Sequence, residues 1–322
     1  MNLENVVGVA RGYKRVKGMR SGDECIVVLV TKKLPNLEVK PGHLVPPEID
    51  GIPTDVIEVG DIRFLFVGRT DKVRPAQPGV SIAHYRVTAG TFGALVRDKR
   101  TGQPLILSNN HVLANSTDGM DGRAKIGDPV LQPGPYDGGI VDRDQVATLE
   151  RFVPVYRATG PSTCPIAQLF EKVLNYRVAQ LRPSYSIKLF KATGKTNLVD
   201  AALAKPLSDD LVIPDILEVG RVAGVKEAEL GMYVKKSGRT TGLNDSQVQA
   251  MDAVIRVGYS DQTFAQFEGQ ILTGPMAQGG DSGSLVLDAE NYAVGLLFAG
   301  SDQVTVCNRI QDVLRLLEVE FF

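Results

Sequence analysis

Apolar and polar positions follow two periods along this chain. Short apolar runs bounded by Gly, Pro, Asn and Asp predict strands at Cys25–Val30, Phe92–Val96, Leu105–Leu107 and Ala293–Ala299. Val6–Tyr13 and Asp55–Val59 are further strand candidates, and Asp98–Gly102 reads as a hairpin turn between two of the runs. The helical period is clearest at Ile166, Leu169, Phe170, Val173, Leu174, Val178 and Leu181. Ser162 or Thr163 is placed to cap that helix, Pro165 sits in its first turn and Pro183 stops it. It is expected to be an insertion packed on the strands, not a ligand site. A last helix is expected with Ile310, Val313, Leu314 and Leu317 on one face and Asn308 as its cap.

Residues 1–70 form the first block, expected to be a small domain of mixed α and β structure. Pro35–Pro47 is broken by prolines and holds at most a short helix. Residues 11–40 carry eight basic side chains against three acidic ones, which reads as a solvated face before it reads as a binding patch. Residues 71–79, Asp-Lys-Val-Arg-Pro-Ala-Gln-Pro-Gly, read as a linker. From residue 80 to 322 the texture is strands and turns.

The bulk numbers narrow the function. At 322 residues the chain exceeds one ordinary core, so two or three domains or barrels are expected. A net charge of −1 provides no overall field to draw nucleic acid or a membrane surface. Cys25, Cys164 and Cys307 are too few and too scattered for a disulfide framework or a zinc site. No apolar run nears the length of a membrane span and the first residues lack a signal-peptide pattern, so a cytoplasmic protein is expected. The aspartates between residues 115 and 145 miss the calcium-loop spacing, and Lys235–Gly242 lacks the phosphate-loop pattern. No cofactor and no metal is expected.

Three places carry chemistry. In Gly279-Gly280-Asp281-Ser282-Gly283-Ser284 the glycines allow a tight turn that exposes the serine hydroxyl. The N–H groups of Gly280 and Ser282 are there to hold an oxyanion; the plain alternative is a glycine-rich turn with a surface serine. A serine nucleophile needs a base, and the chain has three histidines. His43 lies in the proline-broken loop and His84 just after the linker, which leaves His111, at the end of the run Leu105–Ser108. Asp200 interrupts the apolar run Leu198–Ala204, costly to bury without hydrogen-bond donors and otherwise a water-facing edge position. The order His111, Asp200, Ser282 separates the set from hydrolases in which the serine or the acid comes first.

Ser108-Asn109-Asn110-His111 resembles the histidine motif of trypsin-like serine peptidases, Val199–Leu203 their aspartate strand, and Gly280–Ser284 their serine loop. With Gly238-Arg239-Thr240-Thr241-Gly242, the set is most similar to intracellular bacterial members and, more distantly, to the plant narrow-leaf regulators. The resemblance runs from about residue 75 to the C-terminus. It implies a mainly β fold of two six-stranded barrels with the site in the cleft between them. By that resemblance His111, Asp200 and Ser282 are the triad and the N–H groups of Gly280 and Ser282 the oxyanion hole. Met276, six residues before the serine, becomes the floor of the substrate pocket, with Phe298, Ala299 and Gly300 as one wall. The substrate is then a protein or peptide cut after small or medium apolar residues. The departures are the absence of a cysteine beside His111, the Asn109–Asn110 pair, and Ser284 where glycine is usual. The contrasting expectation is a catalytically silent binding module on the same fold, with the first domain as its partner site.

Overall fold

The computed structural model describes residues 5–16, 19–35, 38–60, 68–162, 164–192, 194–259 and 263–322. They fall into two compact units, Met1–Phe66 and Val67–Phe322. In the first unit β1 (Val6–Val16) and β2 (Met19–Val30) form an antiparallel hairpin. The short hairpin of β3 (Glu48–Ile49) and β4 (Ile52–Glu58) joins it, β4 lying parallel to β2, in the order β1-β2-β4-β3. Cys25, Val27, Val28 and Val30 supply the buried apolar positions. Among the described residues this unit holds no helix.

The second unit begins with β5 (Ser81–His84), β6 (Gly90–Thr91), β7 (Ala94–Asp98), β8 (Pro104–Ser108) and α1 (Asn110–Leu113). There follow β9 (Pro129–Leu131), α2 (Val141–Asp144), β10 (Gln145–Phe152), β11 (Thr159–Pro161), α3 (Pro165–Leu181), β12 (Phe190–Ala192) and β13 (Ala202–Pro206). The first curled sheet runs β7-β8-β13-β10-β9-β5-β6. Because β6 pairs with β5 while Gly93 and β7, next in the same stretch of chain, pair with β8, this sheet closes on itself. Six chain segments make the ring.

The second sheet uses β14 (Gly224–Val225), β15 (Tyr233–Gly238), β16 (Gly242–Gly258), β17 (Phe264–Thr273), β18 (Leu285–Leu287), β19 (Tyr292–Gly300) and β20 (Thr305–Arg309). Its order is β14-β19-β18-β15-β16-β17-β20, and an added β19–β20 pairing closes six of the strands into a second ring. The helix α4 (Ile310–Leu317) and β21 (Val319–Glu320) return the chain to β7. This is a mainly β fold of two curled, closed sheets.

Strand residues alternate between faces. Leu95, Ile106, Ala202 and Ala204 fill the first ring with Phe92, Val130, Val146 and Leu149. Their neighbours Ala94, Val96, Leu105, Leu107 and Leu203 point the other way, against Leu285, Leu287, Leu296 and the buried face of α4. Strands covered on both faces explain the uninterrupted apolar runs in the sequence.

Residues 71–79 are not a free linker. Ala76 is fully buried in the first ring, its N–H donates to Leu211 O (2.7 Å) and its carbonyl accepts from Ile213 N–H (2.9 Å). The prolines keep the segment out of a regular strand, but the barrel satisfies its polar groups. The inserted helix also departs from expectation. None of its residues is buried, so it does not pack on the barrels. Of its two cap candidates, Thr163 lies outside the described residues, and the N-cap position is Cys164.

Candidate active site

His111 and Asp200 meet because their strands do. β8 and β13 are antiparallel with Ser108 opposite Ala202, so the residues just after β8 and just before β13 share one end of the ring. There His111 Nδ1 lies 2.7 Å from Asp200 Oδ2, and the His111 backbone N–H donates to Oδ1 (3.1 Å). Asp200 is 2% exposed. Neutral groups surround it: Asn109 Nδ2 donates to its carbonyl (2.8 Å), and its own N–H donates to Asn308 Oδ1 (3.0 Å). Asn308 Nδ2 in turn donates to Gln270 Oε1 (2.7 Å), whose Nε2 holds Leu198 O (2.8 Å). Asn308 is thus buried in β20, tying the second ring to the aspartate, and the residue capping α4 is Arg309. Nearby, burial foremost and then the charge of Asp200 push the Tyr259 phenol above its ordinary range.

Ser282 comes from the second ring. Its loop is zipped to β19 by Gly283 N–H to Leu297 O (2.8 Å) and Leu297 N–H to Ser284 O (3.0 Å). Gly280 and Gly283 take φ of +98° and +95°, where an L side chain is strained. At Gly283 a Cβ would also run into Ser108 Oγ and Thr91 O. That close approach brings the loop to the first ring, where Thr91 N–H donates to Ser282 O (2.8 Å). Gly90, one residue earlier, lies against both Val112, the neighbour of His111, and Ser282 O. All three sequence-predicted residues therefore converge on one place. Ser282 Oγ faces Phe298 O at 3.5 Å, and no hydrogen bond links it to His111. Among the described residues, neither the Gly280 N–H nor the Ser282 N–H has a protein acceptor.

The carboxylate beside the serine is held differently. Asp281 and Lys236 are both fully buried, with Nζ 3.2 Å from Oδ2. Oδ1 accepts from the N–H groups of Thr240 (2.8 Å) and Thr241 (3.1 Å). Oδ2 accepts from Gln278 N–H (3.0 Å) and the Thr241 hydroxyl (2.7 Å). Burial alone would raise this carboxyl; the donors and the ammonium outweigh it and hold Asp281 below its ordinary range. Burial also lowers Lys236, opposed by the carboxylate. A second cross-strut, Arg239 to Asp137, joins the rings beside Gly280, with Arg239 Nε 2.8 Å from Oδ2. The sequence places Lys236 and Arg239 in the stretch Lys235–Gly242 but gives neither a role; that they pair with Asp281 and Asp137 is visible only in the fold.

The expected pocket needs a correction. Met276 is 1% exposed and packs inside the second ring with Val234, Val248, Ile271 and Val294. Its side chain belongs to the core. Phe298 also packs inward, its ring 4.7 Å from that of Phe267. Ala299 is half-buried and Gly300 exposed, which leaves them available as a wall. Among the described residues no cluster of His, Cys, Asp and Glu could hold a metal ion.

The site thus joins a His–Asp couple from one closed ring to a glycine-flanked serine from the other. No protein-family model matches the chain. Over 80 residues it is 36% identical to serine protease 2 of Streptomyces fradiae, a stretch that is 25% of this chain and 43% of that protein. The chain thus matches under half the length of that relative. Among solved structures it is similar to Thermobifida fusca protease A, at 18% identity and TM-score 0.47, over 76% of this chain and 98% of the other. It is similar also to the Nocardiopsis protease, at 17% identity and TM-score 0.47, over 76% and 98%. The Cellulomonas bogoriensis chymotrypsin gives 16% identity and TM-score 0.45, over 77% and 99%.

Proposed function

We propose that the chain is a serine endopeptidase working through His111, Asp200 and Ser282. The carrying observation is the His111–Asp200 contact of 2.7 Å at the rim that Ser282 enters from the other ring. In the proposed reaction Ser282 Oγ turns from Phe298 O toward His111 Nε2 and attacks the peptide carbonyl, its proton passing to the imidazole. Such hydrogen bonds often tighten only when substrate binds. Asp200 fixes Nδ1 as the protonated nitrogen and stabilises the imidazolium. The tetrahedral oxyanion takes the N–H groups of Gly280 and Ser282. His111 then protonates the leaving amine, and water, deprotonated by the same base, hydrolyses the acyl-enzyme.

The buried Lys236 supplies Asp281 with a cation from within the chain. This supports a serine loop formed without an ammonium from a newly cut N-terminus to pair with Asp281. Apolar surroundings at Ala277, Ala299 and, behind them, Met276 favour small or medium apolar residues before the scissile bond, since a buried ammonium would be stranded there. The three unpaired thiols fit a reducing compartment.

The orientation of Ser282 toward Phe298 O favours one competing reading, a silent module on the same fold. A fluorophosphonate probe decides between them. Covalent labelling of uncut chain at Ser282, abolished by His111→Ala, is the expected result; an unlabelled, folded chain would mean the fold is used for binding alone.

A further inference from the structure

The excursion between β10 and β13 has its polarity reversed. On α3 the half-buried positions are Ala167, Glu171, Asn175 and Val178. Two of these hold the returning segment: Asn175 exchanges hydrogen bonds with Ile187 (2.8 and 2.7 Å), and Glu171 Oε2 accepts from Leu189 N–H (3.1 Å). The opposite face is the apolar one. Ile166 is 68% exposed, Phe170 61% and Leu181 80%, with Leu169, Val173, Leu174 and Tyr176 between them. A contiguous apolar strip turned to water marks an interaction site.

Charge says what covers it. From Cys164 to Ala192 the basic residues are Lys172, Arg177, Arg182, Lys188 and Lys191, and the one acidic residue is Glu171, whose carboxylate is engaged on the inner face. That is a local excess of +4 (5 − 1) in a chain whose net charge is −1. Two copies facing each other here would bring like charges together. The strip lies on a single convex helix of about 25 Å. By helical spacing Arg177 falls within the strip, where its long stem can lie along apolar groups while the guanidinium reaches an anion. Tyr176 and Tyr185, 66% and 70% exposed, are rings of the kind that sit at a lipid–water boundary.

We propose that α3 lies on an anionic lipid surface, its apolar face among the acyl chains and its basic residues at the headgroups. Among the described residues no helix is long and apolar enough to cross a membrane, and this contact requires none. It stands apart from the reaction proposed above.

The test is co-sedimentation of the full chain with phosphatidylcholine vesicles, with and without phosphatidylserine. Binding is expected only to the phosphatidylserine vesicles, weakening as salt rises. Lys172→Gln, Arg177→Gln and Arg182→Gln should each lower the partition coefficient about fivefold. Phe170→Ser with Leu174→Ser should abolish binding while leaving the urea midpoint unchanged, since both side chains are exposed. Intact chain that stays in the supernatant with anionic vesicles overturns the proposal. So does a Phe170→Ser, Leu174→Ser variant that sediments like the parent, or a dimer dissolved by that variant in a chain that binds no vesicle.

Discussion

The two rings contribute to the candidate site by different chemistry. On the first, Asp200 is buried among neutral donors: a backbone N–H, the imidazole, and the Asn308–Gln270 amide chain that anchors its own backbone. On the second, Asp281 is buried against the ammonium of Lys236. The first carboxylate accepts from the His111 backbone N–H and faces the imidazole that the proposed reaction would protonate. The second is neutralised in place and fixes the loop; under the proposed reaction the oxyanion would form at the N–H groups of the residues on either side of it. Under the proposed reaction one buried acid would act on charge that appears, while the other holds geometry.

The largest effect sharpens the catalytic side of that contrast. Ser282→Ala or His111→Ala should lower kcat by roughly 10⁶-fold, and Asp200→Asn by about 10⁴-fold, with the folded chain intact. Steady-state hydrolysis of a peptide ester measures all three. If Ser282→Ala turned over ester at the parent rate, the assignment of the nucleophile would fail.

The structural side should show the reverse pattern. Lys236→Met leaves Asp281 buried and uncompensated, which costs about 3–5 kcal/mol of stability. Lys236→Met combined with Asp281→Asn should recover part of the stability, since no lone charge is then buried, but not the kcat, because the loop is no longer pinned. Urea unfolding and ester kinetics on the same samples separate the two. Equal stability of Lys236→Met and the parent would show that the ion pair holds nothing.

Breaking the neutral chain should cost less. Asn308→Ala orphans the Asp200 N–H and one Gln270 oxygen, worth roughly 1–3 kcal/mol. The His111–Asp200 contact remains, so kcat should fall far less than for Asp200→Asn. A loss of activity as large as that of Asp200→Asn would mean that Asn308 positions the carboxylate itself.

What the sequence made legible follows the same division. His111, Asp200 and Ser282 stand in short motifs where each residue type is tied to its neighbours, and the apolar runs of β7 and β8 read directly as strands. Lys236 and Asn308 were opaque because their partners lie 45 and 108 residues away (281 − 236 and 308 − 200) and neither sits in a motif. Asn308 reads locally as a helix cap, and only the fold turns its side chain sideways to Asp200. The helix α3 was found by its period, but period cannot say which face is covered. Met276 was placed by counting back from the serine, and counting does not say on which side of the ring wall a side chain falls.

The smallest expected effect is a difference in how the rings meet acid. His84 is fully buried in β5, its Nε2 3.0 Å from Asp128 Oδ2, while Nδ1 accepts from Arg86 N–H (3.1 Å). Burial lowers its pKa from 6.5, against the opposing pull of Asp128, with Arg86 adding to the lowering. The unfolded chain therefore takes up this proton first. The contribution of His84 is complete above about pH 6.5 and declines as pH falls below it, by at most about 1.4 kcal/mol per pH unit. Asp281 on the second ring is lowered from 3.8, so its contribution is complete above that value and lost only below it. Between these limits acid should weaken the first ring through His84 while the Lys236–Asp281 pair stands. His84→Gln keeps an N–H for Asp128 but cannot titrate. Its urea midpoint should change less than the parent's between pH 7 and pH 5, whatever its absolute stability. Parallel curves for parent and variant would remove His84 as the cause, and with it the claim that the two rings differ in their response to mild acid.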